Sequence, residues 1–143
     1  MFNRILLVCT GNICRSPMAE GIMRARLSGE KEVSSAGVGA AAGEPPTPEA
    51  IAVMSGHGFD ISAHRARQLT RDMADRSDLI LVADQSHVEW IARRYPHLRG
   101  RVHKLLKWED NRDLEDPFRM PQSYFEQTFA EAEMGISDWL KRL

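Results

Sequence analysis

The chain has 143 residues, a length that fits one domain over residues 1–143. Its hydrophobic fraction is 43% and its charged fraction is 27%, as is usual for a globular protein with a core of its own. Its 19 Lys and Arg residues nearly balance its 20 Asp and Glu residues, and a net charge of −1 excludes bulk electrostatic binding to nucleic acid or anionic lipid.

In chain order, the first predicted elements flank a short loop. Residues 5–8 form a continuous apolar run, which is typical of a strand buried on both faces. A helix is predicted over residues 17–27, with Ser16 as its cap and Pro17 at its first position. The elements predicted after it are a strand at 31–35, a helix from 47 to 56 or 58, a strand at 78–83, a helix at 84–95, a strand at 102–106 and a helix at 121–143.

Strands that alternate with helices indicate an α/β fold, in which a mostly parallel sheet is covered by helices on both faces. The last helix carries an apolar stripe with spacings of three and four residues, which we expect to face the core. Its members are Phe125, Phe129, Ala132, Ile136, Trp139 and Leu143. Ligands in such folds bind beyond the carboxyl ends of the strands, and the first strand ends at Cys9.

The cysteines and the short apolar runs predict a compartment. Cys9 and Cys14 are a single close pair, which is not a disulfide framework, so we expect two free thiols in a reducing environment. The apolar runs at residues 5–9 and 79–83 are too short to span a bilayer, and no secretory signal is visible. We therefore expect a cytoplasmic protein without membrane insertion.

The segment CTGNICRSP, residues 9–17, carries the most chemical information. Its loop leads from a buried strand into a helix N-terminus, where backbone amides can converge on an anion. Gly11 permits a turn that a side chain would hinder, and Asn12 tolerates the left-handed region. Arg15 can reach back and hold a tetrahedral oxyanion through two N–H groups. The predicted substrate-binding residues are Thr10, Gly11, Asn12, Ile13, Cys14 and Ser16.

Cys9 is the predicted nucleophile. Helix N-termini and nearby arginines favour the thiolate form of a cysteine, so we expect the Cys9 sulfur to be charged at neutral pH beneath a site for a dianion. Ser16 can donate a hydrogen bond to that sulfur and stabilise it as a leaving group. A lone cysteine at a strand end is more often a small buried hydrophobe, but the full segment is far more specific. For Cys14, packing at the helix start and a redox role both stay open.

Together with Ser35-Ala36-Gly37, AHRAR at residues 63–67 and Asp116-Pro117-Phe118, this segment resembles the low-molecular-weight protein tyrosine phosphatase family. The match covers essentially the whole chain in order and spacing. The sequence most resembles the bacterial branch of this family, whose members are found with exopolysaccharide tyrosine kinases. The resemblance implies a single domain with a four-stranded parallel sheet flanked by helices, a phosphate-binding loop after the first strand, and no metal or other cofactor.

The resemblance also implies a two-step hydrolysis of phosphotyrosine. Cys9 forms a phosphocysteine, while Arg15 and the loop amides hold the equatorial oxygens. Asp116 protonates the leaving phenolate and then serves as base for water. Phe118 lines the slot beside the substrate ring. Composition alone would not select Asp116, because it lies in the acidic run at residues 109–116, and such runs are usually solvated faces.

Supporting roles follow from the same resemblance. Asn12, Ser35 and His64 are implied to brace the loop. Asp84 either contacts the Arg15 side of the site or only caps a helix. Arg119 follows the acid's motif, and we expect it to favour acidic sequences around the phosphotyrosine.

The implied partner is a phosphotyrosine protein, for which the best candidate is a bacterial tyrosine kinase of exopolysaccharide export. Three alternative functions fit the sequence less well. An arsenate reductase needs cysteines after Cys14, which this sequence does not have. A phosphocysteine carrier does not need Arg15 or Asp116. A phosphotyrosine-binding or redox-sensing module does not need Cys9, Arg15 and Asp116 together. Oligomeric state and phosphorylation of Tyr95 or Tyr124 stay open.

Overall fold

A computed structural model describes residues 2–27 and 29–143 of the chain. At its centre lies a four-stranded parallel sheet with the order β2-β1-β3-β4. The strands are β1 (Arg4–Cys9), β2 (Glu32–Gly37), β3 (Leu79–Val82) and β4 (Val102–Lys104). The α/β fold predicted from the sequence is therefore confirmed, and β1 and β3 are the buried central strands because their apolar runs continue through both faces.

Helices cover both faces of the sheet. They are α1 (Arg15–Arg26), α2 (Pro48–Gly56), α3 (Arg71–Arg76), α4 (Gln85–Arg94) and α5 (Gln122–Leu140), with a 3₁₀ helix at Pro96–Arg101. The helices α1, α2 and α5 pack on one face, and α3, α4 and the 3₁₀ helix pack on the other. Within the described ranges, no helix has both the length and the apolar character needed to cross a membrane.

Strand β1 supplies side chains to two separate apolar cores. Ile5 and Leu7 enter the core with α1, α2 and α5, whereas Leu6 and Val8 enter the core with α3 and α4. The predicted stripe of α5 is buried from Phe125 to Trp139, as expected. Both faces of the sheet are thus closed, and the carboxyl ends of the strands remain as the edge where a ligand can bind.

Several boundaries differ from prediction for physical reasons. Helix α1 begins at Arg15, and its N-cap is Cys14 without a side-chain capping bond, so Ser16 is not the cap. The Ser16 hydroxyl instead contacts the Cys9 sulfur. Strand β2 continues to Gly37 because the chain keeps pairing with β1, and β4 ends at Lys104, where a series of turns begins.

Two short helices were missed. Helix α3 has six residues, RDMADR, of which only Ala74 is buried, so no apolar period was available to indicate a helix. The 3₁₀ helix likewise buries only Leu98. Helix α5 begins at Gln122 and ends at Leu140, slightly inside the predicted limits.

Candidate active site

The loop of residues 10–14, which we call the cradle, joins β1 to α1 at the carboxyl edge of the sheet. Asn12 has a φ of 59°, so the left-handed conformation predicted from the sequence is present. The end of β2 lies directly against the cradle. A Cβ on Gly37 would stand 2.4 Å from the Thr10 carbonyl oxygen, so only glycine permits this approach.

Backbone carbonyls of the cradle and of Cys9 are all held by neighbouring groups. The donors are Val38 N to Cys9 O, Gly39 N to Thr10 O, Ala41 N to Gly11 O, His64 Nε2 to Asn12 O, Thr47 N to Ile13 O and Met18 N to Cys14 O, at 2.9–3.1 Å. By contrast, the amide N–H groups of residues 11–14 donate to no acceptor in the described parts of the chain. Bound carbonyls and free amides are the arrangement of a backbone anion nest.

The Cys9 sulfur lies at the base of the cradle, 2.9 Å from the Ser16 hydroxyl oxygen. The Asn12 side-chain amide donates to that same hydroxyl oxygen at 2.7 Å. Because Ser16 accepts from Asn12, its own hydrogen is free to point at the sulfur. This orientation stabilises negative charge on the Cys9 sulfur.

A buried network holds Asn12 in place. Its amide nitrogen also donates to the Ser35 hydroxyl at 3.0 Å, and its amide oxygen accepts from the backbone N–H of Arg67 at 3.0 Å. Ser35 in turn donates to the Glu20 carboxylate, which lies 3.8 Å from Nδ1 of His64. The structure thus brings Asn12, Ser35 and His64 together on one side of the cradle.

Arg15 is buried, with 3% of its surface exposed. Its Nη1 donates to Asp84 Oδ2 at 2.8 Å and to the Leu114 carbonyl at 2.7 Å. Its Nη2 lies 3.8 Å from Asp116 Oδ2. These contacts fix the guanidinium through one nitrogen and leave its other N–H groups available to an oxyanion.

Asp84 has both of the roles that the sequence left open, as a helix cap and as a partner of Arg15. Its carboxylate caps α4 through the Ser86 N–H, and it also pairs with Arg15. Burial raises the pKa of this carboxyl, but hydrogen bonds from Ser86 and Arg15 outweigh burial, so the net pKa lies below its ordinary value.

His87 is fully buried in the first turn of α4. Its Nδ1 accepts from the Asp84 N–H at 3.1 Å, so Nε2 carries the proton and donates to the Thr10 hydroxyl at 2.9 Å. Burial lowers the pKa of His87 to about 4, against the opposing effect of the Asp84 carboxylate. The side chain is therefore neutral at physiological pH and ties α4 to the cradle.

The acid predicted from the motif lies at the mouth of the cradle. Asp116 has a half-exposed side chain, and its Oδ1 accepts from the Phe118 N–H at 3.1 Å. Pro117 between them is buried. The Phe118 ring is exposed rather than packed in the core, and Ile13 is half-buried. The exposed Phe118 ring, two residues from the acid, and the half-buried Ile13 of the cradle are apolar groups that suit an aromatic ring.

Cys14, the last residue of the cradle, is buried, with its sulfur 3.5 Å from the Thr47 hydroxyl oxygen. Burial raises the pKa of its thiol to about 12, although the Thr47 hydrogen bond opposes the shift. The structure supports the packing role for this side chain, and the redox role stays a prediction.

Four supporting groups were missed from the sequence: the Glu20 carboxylate, Gly37 as a contact, the His87 ring and the Leu114 carbonyl. Glu20 looked like an ordinary first-turn acid, and a backbone carbonyl such as that of Leu114 has no sequence signature. Gly37 belongs to the Ser35-Ala36-Gly37 motif, but its approach to Thr10 depends on the pairing of β2 with β1.

The donor set determines what the site can hold. In the part of the chain that the structure describes, no cluster of three His, Cys, Asp or Glu side chains has the arrangement of a metal site. The cradle is built from amide and guanidinium N–H groups around a sulfur. This chemistry suits a tetrahedral oxyanion and its transfer to a nucleophile.

Comparison with known proteins agrees with this geometry. Residues 4–143 match the family model described as low molecular weight phosphotyrosine protein phosphatase. A probable low molecular weight protein-tyrosine-phosphatase, EpsP of Ralstonia nicotianae, is 44% identical over 143 residues, which are 100% of this chain and 97% of that protein.

Solved structures agree as well. The crystal structure of the tyrosine phosphatase AmsI of Erwinia amylovora is 36% identical, with a TM-score of 0.95 over 100% of this chain and 94% of that one. The arginine phosphatase YwlE of Geobacillus stearothermophilus is 32% identical, with a TM-score of 0.91 over 97% and 91% of the two chains. The chain therefore belongs to the low molecular weight phosphotyrosine protein phosphatase family and is a protein-tyrosine-phosphatase.

Proposed function

We propose that this protein hydrolyses phosphotyrosine through a phosphocysteine formed on Cys9. In the first step the Cys9 thiolate attacks phosphorus, an S–P bond forms and the P–O bond to the tyrosine ring breaks. In the second step water attacks phosphorus, the S–P bond breaks, and phosphate and the thiolate are released. The hydrogen bond from Ser16 stabilises the thiolate as attacking group and as leaving group.

Arg15 and the cradle amides are proposed to hold the equatorial oxygens of the phosphoryl group. The amides of residues 11–14 donate to no acceptor in the described chain, and the buried Arg15 guanidinium keeps N–H groups available. Their donors are fixed before the reaction, so they stabilise the charge that develops in the transition state without reorganising.

Asp116 is proposed to act as general acid in the first step and as general base in the second. Protonated Asp116 gives its proton to the phenolate oxygen, and the resulting carboxylate then takes a proton from the attacking water. Its half-exposed carboxyl group, 3.8 Å from the Arg15 guanidinium, supports this role.

The single observation that carries the proposal is the Cys9 sulfur at the base of a loop whose carbonyls are all engaged elsewhere. The half-buried aliphatic Ile13 favours an aromatic ester over phosphoarginine, whose charged guanidino group would gain little from an aliphatic wall. We infer that the natural substrate is a bacterial tyrosine kinase of exopolysaccharide export, met in the cytoplasm.

The proposal is tested by hydrolysis of phosphotyrosine peptides, phosphoarginine peptides and p-nitrophenyl phosphate. Cys9→Ser is expected to abolish turnover of all of them. Asp116→Asn is expected to reduce kcat on phosphotyrosine by about 10²- to 10⁴-fold. The loss on p-nitrophenyl phosphate is expected to be smaller, because nitrophenolate leaves without a proton.

Asp110→Asn is the matched control, since it removes an exposed carboxylate of the same acidic run. Turnover by Cys9→Ser would contradict the nucleophile, and equal losses from Asp110→Asn and Asp116→Asn would contradict the acid. Faster hydrolysis of phosphoarginine than of phosphotyrosine would contradict the substrate class.

A further inference from the structure

The segment after the general acid forms a tight turn with an unusual residue in it. The Met120 N–H donates to the Pro117 carbonyl at 2.9 Å, which closes a four-residue turn. Arg119 occupies its third position with a φ of 66°. That position of such a turn favours glycine or asparagine, because other side chains are strained at positive φ.

Hydrogen bonds and ion pairs within the described chain do not account for an arginine there. In the described parts of the chain, Arg119 donates no hydrogen bond and belongs to no ion pair. Its guanidinium carbon lies 5.2 Å from the centre of the Phe118 ring, which is itself exposed. By contrast, Arg112 of the preceding segment is paired with Glu131 at 2.8 Å.

Arg119 differs from Arg15, the other cation close to Asp116, because Arg15 is buried and paired with Asp84 whereas Arg119 is exposed. Three of the segments near the cradle, residues 38–46, 84–87 and 115–121, contain no Lys or Arg other than Arg119. Arg65 and Arg67 approach from the other side, where their side chains donate to backbone carbonyls. Glu115 precedes the turn in sequence and is exposed, and its carboxylate would repel an acidic substrate.

We propose that Arg119 is a specificity residue that binds an acidic side chain next to the phosphotyrosine of the substrate. This inference rests on the proposed function, since it places a phosphotyrosine peptide in the cradle. The strained turn holds the guanidinium against the Phe118 ring, where its planar N–H groups can pair with a carboxylate. A strained arginine is retained at the site because the peptide, and not the protein, supplies its partner.

The test uses phosphotyrosine peptides that are identical except for Glu, Gln or Lys beside the phosphotyrosine. For the wild type, kcat/KM is expected to be about two- to fivefold higher for the Glu than for the Gln peptide, the range of an exposed ion pair. That preference is expected to weaken as salt is added.

Variants at the same position separate charge from turn geometry. Arg119→Gly keeps the turn and removes the charge, so its Glu-to-Gln ratio is expected to fall to about one while its melting temperature does not fall. Arg119→Glu is expected to invert the ratio, and Arg119→Lys is expected to keep part of it. Arg93→Gln, at the end of α4 far from the mouth, removes one exposed charge and is expected to leave the ratio unchanged.

The outcomes are distinguishable. If both wild type and Arg119→Gly hydrolyse all peptides with the same Glu-to-Gln ratio of kcat/KM, this inference is overturned and the proposed function is not. An equal change in Arg93→Gln would assign the preference to net charge and would overturn it too. A lower melting temperature for Arg119→Gly would show that Arg119 is retained for stability. Failure to hydrolyse any phosphopeptide would overturn the proposed function, and this inference with it.

Discussion

Two cysteines of the same segment have different chemical environments. The Cys9 sulfur accepts a hydrogen bond from the Ser16 hydroxyl at the base of the cradle, whereas the Cys14 sulfur is packed beside Thr47. Burial raises the pKa of the Cys14 thiol to about 12, so this side chain stays protonated at neutral pH. Since thiolates are the reactive form of cysteine, we expect the Cys14 thiol to react slowly, whereas Cys9 is the proposed nucleophile.

Alkylation measures this difference. With iodoacetamide at pH 7, we expect Cys9 to be labelled and Cys14 of the folded protein to stay unlabelled, as read by peptide mass spectrometry. Inorganic phosphate should slow the labelling because it competes for the cradle. The Cys9→Ser variant should resist alkylation until it is unfolded. Equal labelling of both residues in the native protein would contradict the assigned environments.

At the scale of elements, the cradle depends on how closely β2 approaches it. Strand β2 pairs with β1 up to Gly37, where a Cβ would meet the Thr10 oxygen at 2.4 Å and the Asn12 backbone nitrogen at 3.1 Å. Gly39 lies two residues further, also beside the cradle, but a Cβ there would meet nothing within 4 Å. The chain thus offers two neighbouring glycines with opposite steric demands.

We expect Gly37→Ala to displace the cradle, to lower the unfolding free energy by about 1–3 kcal/mol and to lower kcat/KM by roughly 100-fold. Gly39→Ala is the control, because it adds the same methyl group in open space. Urea unfolding and phosphotyrosine hydrolysis measure the two effects. Equal behaviour of the two variants would show that the approach of β2 is not what shapes the loop.

The elements show what the sequence could and could not predict. The buried runs of β1 and β3, the stripe of α5 and the segment from Cys9 to Pro17 follow local patterns, so they were predicted. Helix α3 was missed because a six-residue polar helix has no period to detect. The Glu20 and Leu114 contacts were missed because pairing over 15 and 99 positions depends on the finished fold.

At the scale of the whole molecule, His87 links stability to pH. It is fully buried, and burial lowers its pKa to about 4 from the ordinary value of 6.5. Between these two values the unfolded chain binds a proton that the folded protein does not. Stability is therefore lost as the pH falls from about 6.5 to about 4, and it is fully present above that window.

Urea unfolding at pH 7, 6, 5 and 4.5 tests this linkage. We expect His87 to contribute a loss of up to about 3 kcal/mol over the window. His87→Gln removes the ring that bonds Asp84 and Thr10, so the variant should be less stable at pH 7. Because glutamine does not titrate, the variant should lose less stability on acidification. His103, whose pKa is also lowered by burial, remains in both proteins and cancels in the comparison. Parallel pH profiles of variant and wild type would contradict the role of His87.

The carbonyls of residues 10–13 in the cradle are held by residues distant in the chain, from the segment after β2, the His64 ring and the start of α2. The conformational entropy of the loop is therefore lost when the protein folds, and little more is lost when an anion binds. Vanadate, which adopts the five-coordinate geometry of phosphoryl transfer, should accordingly associate in a single kinetic phase. The observed rate should rise linearly with vanadate concentration, as it does when encounter rather than rearrangement limits binding.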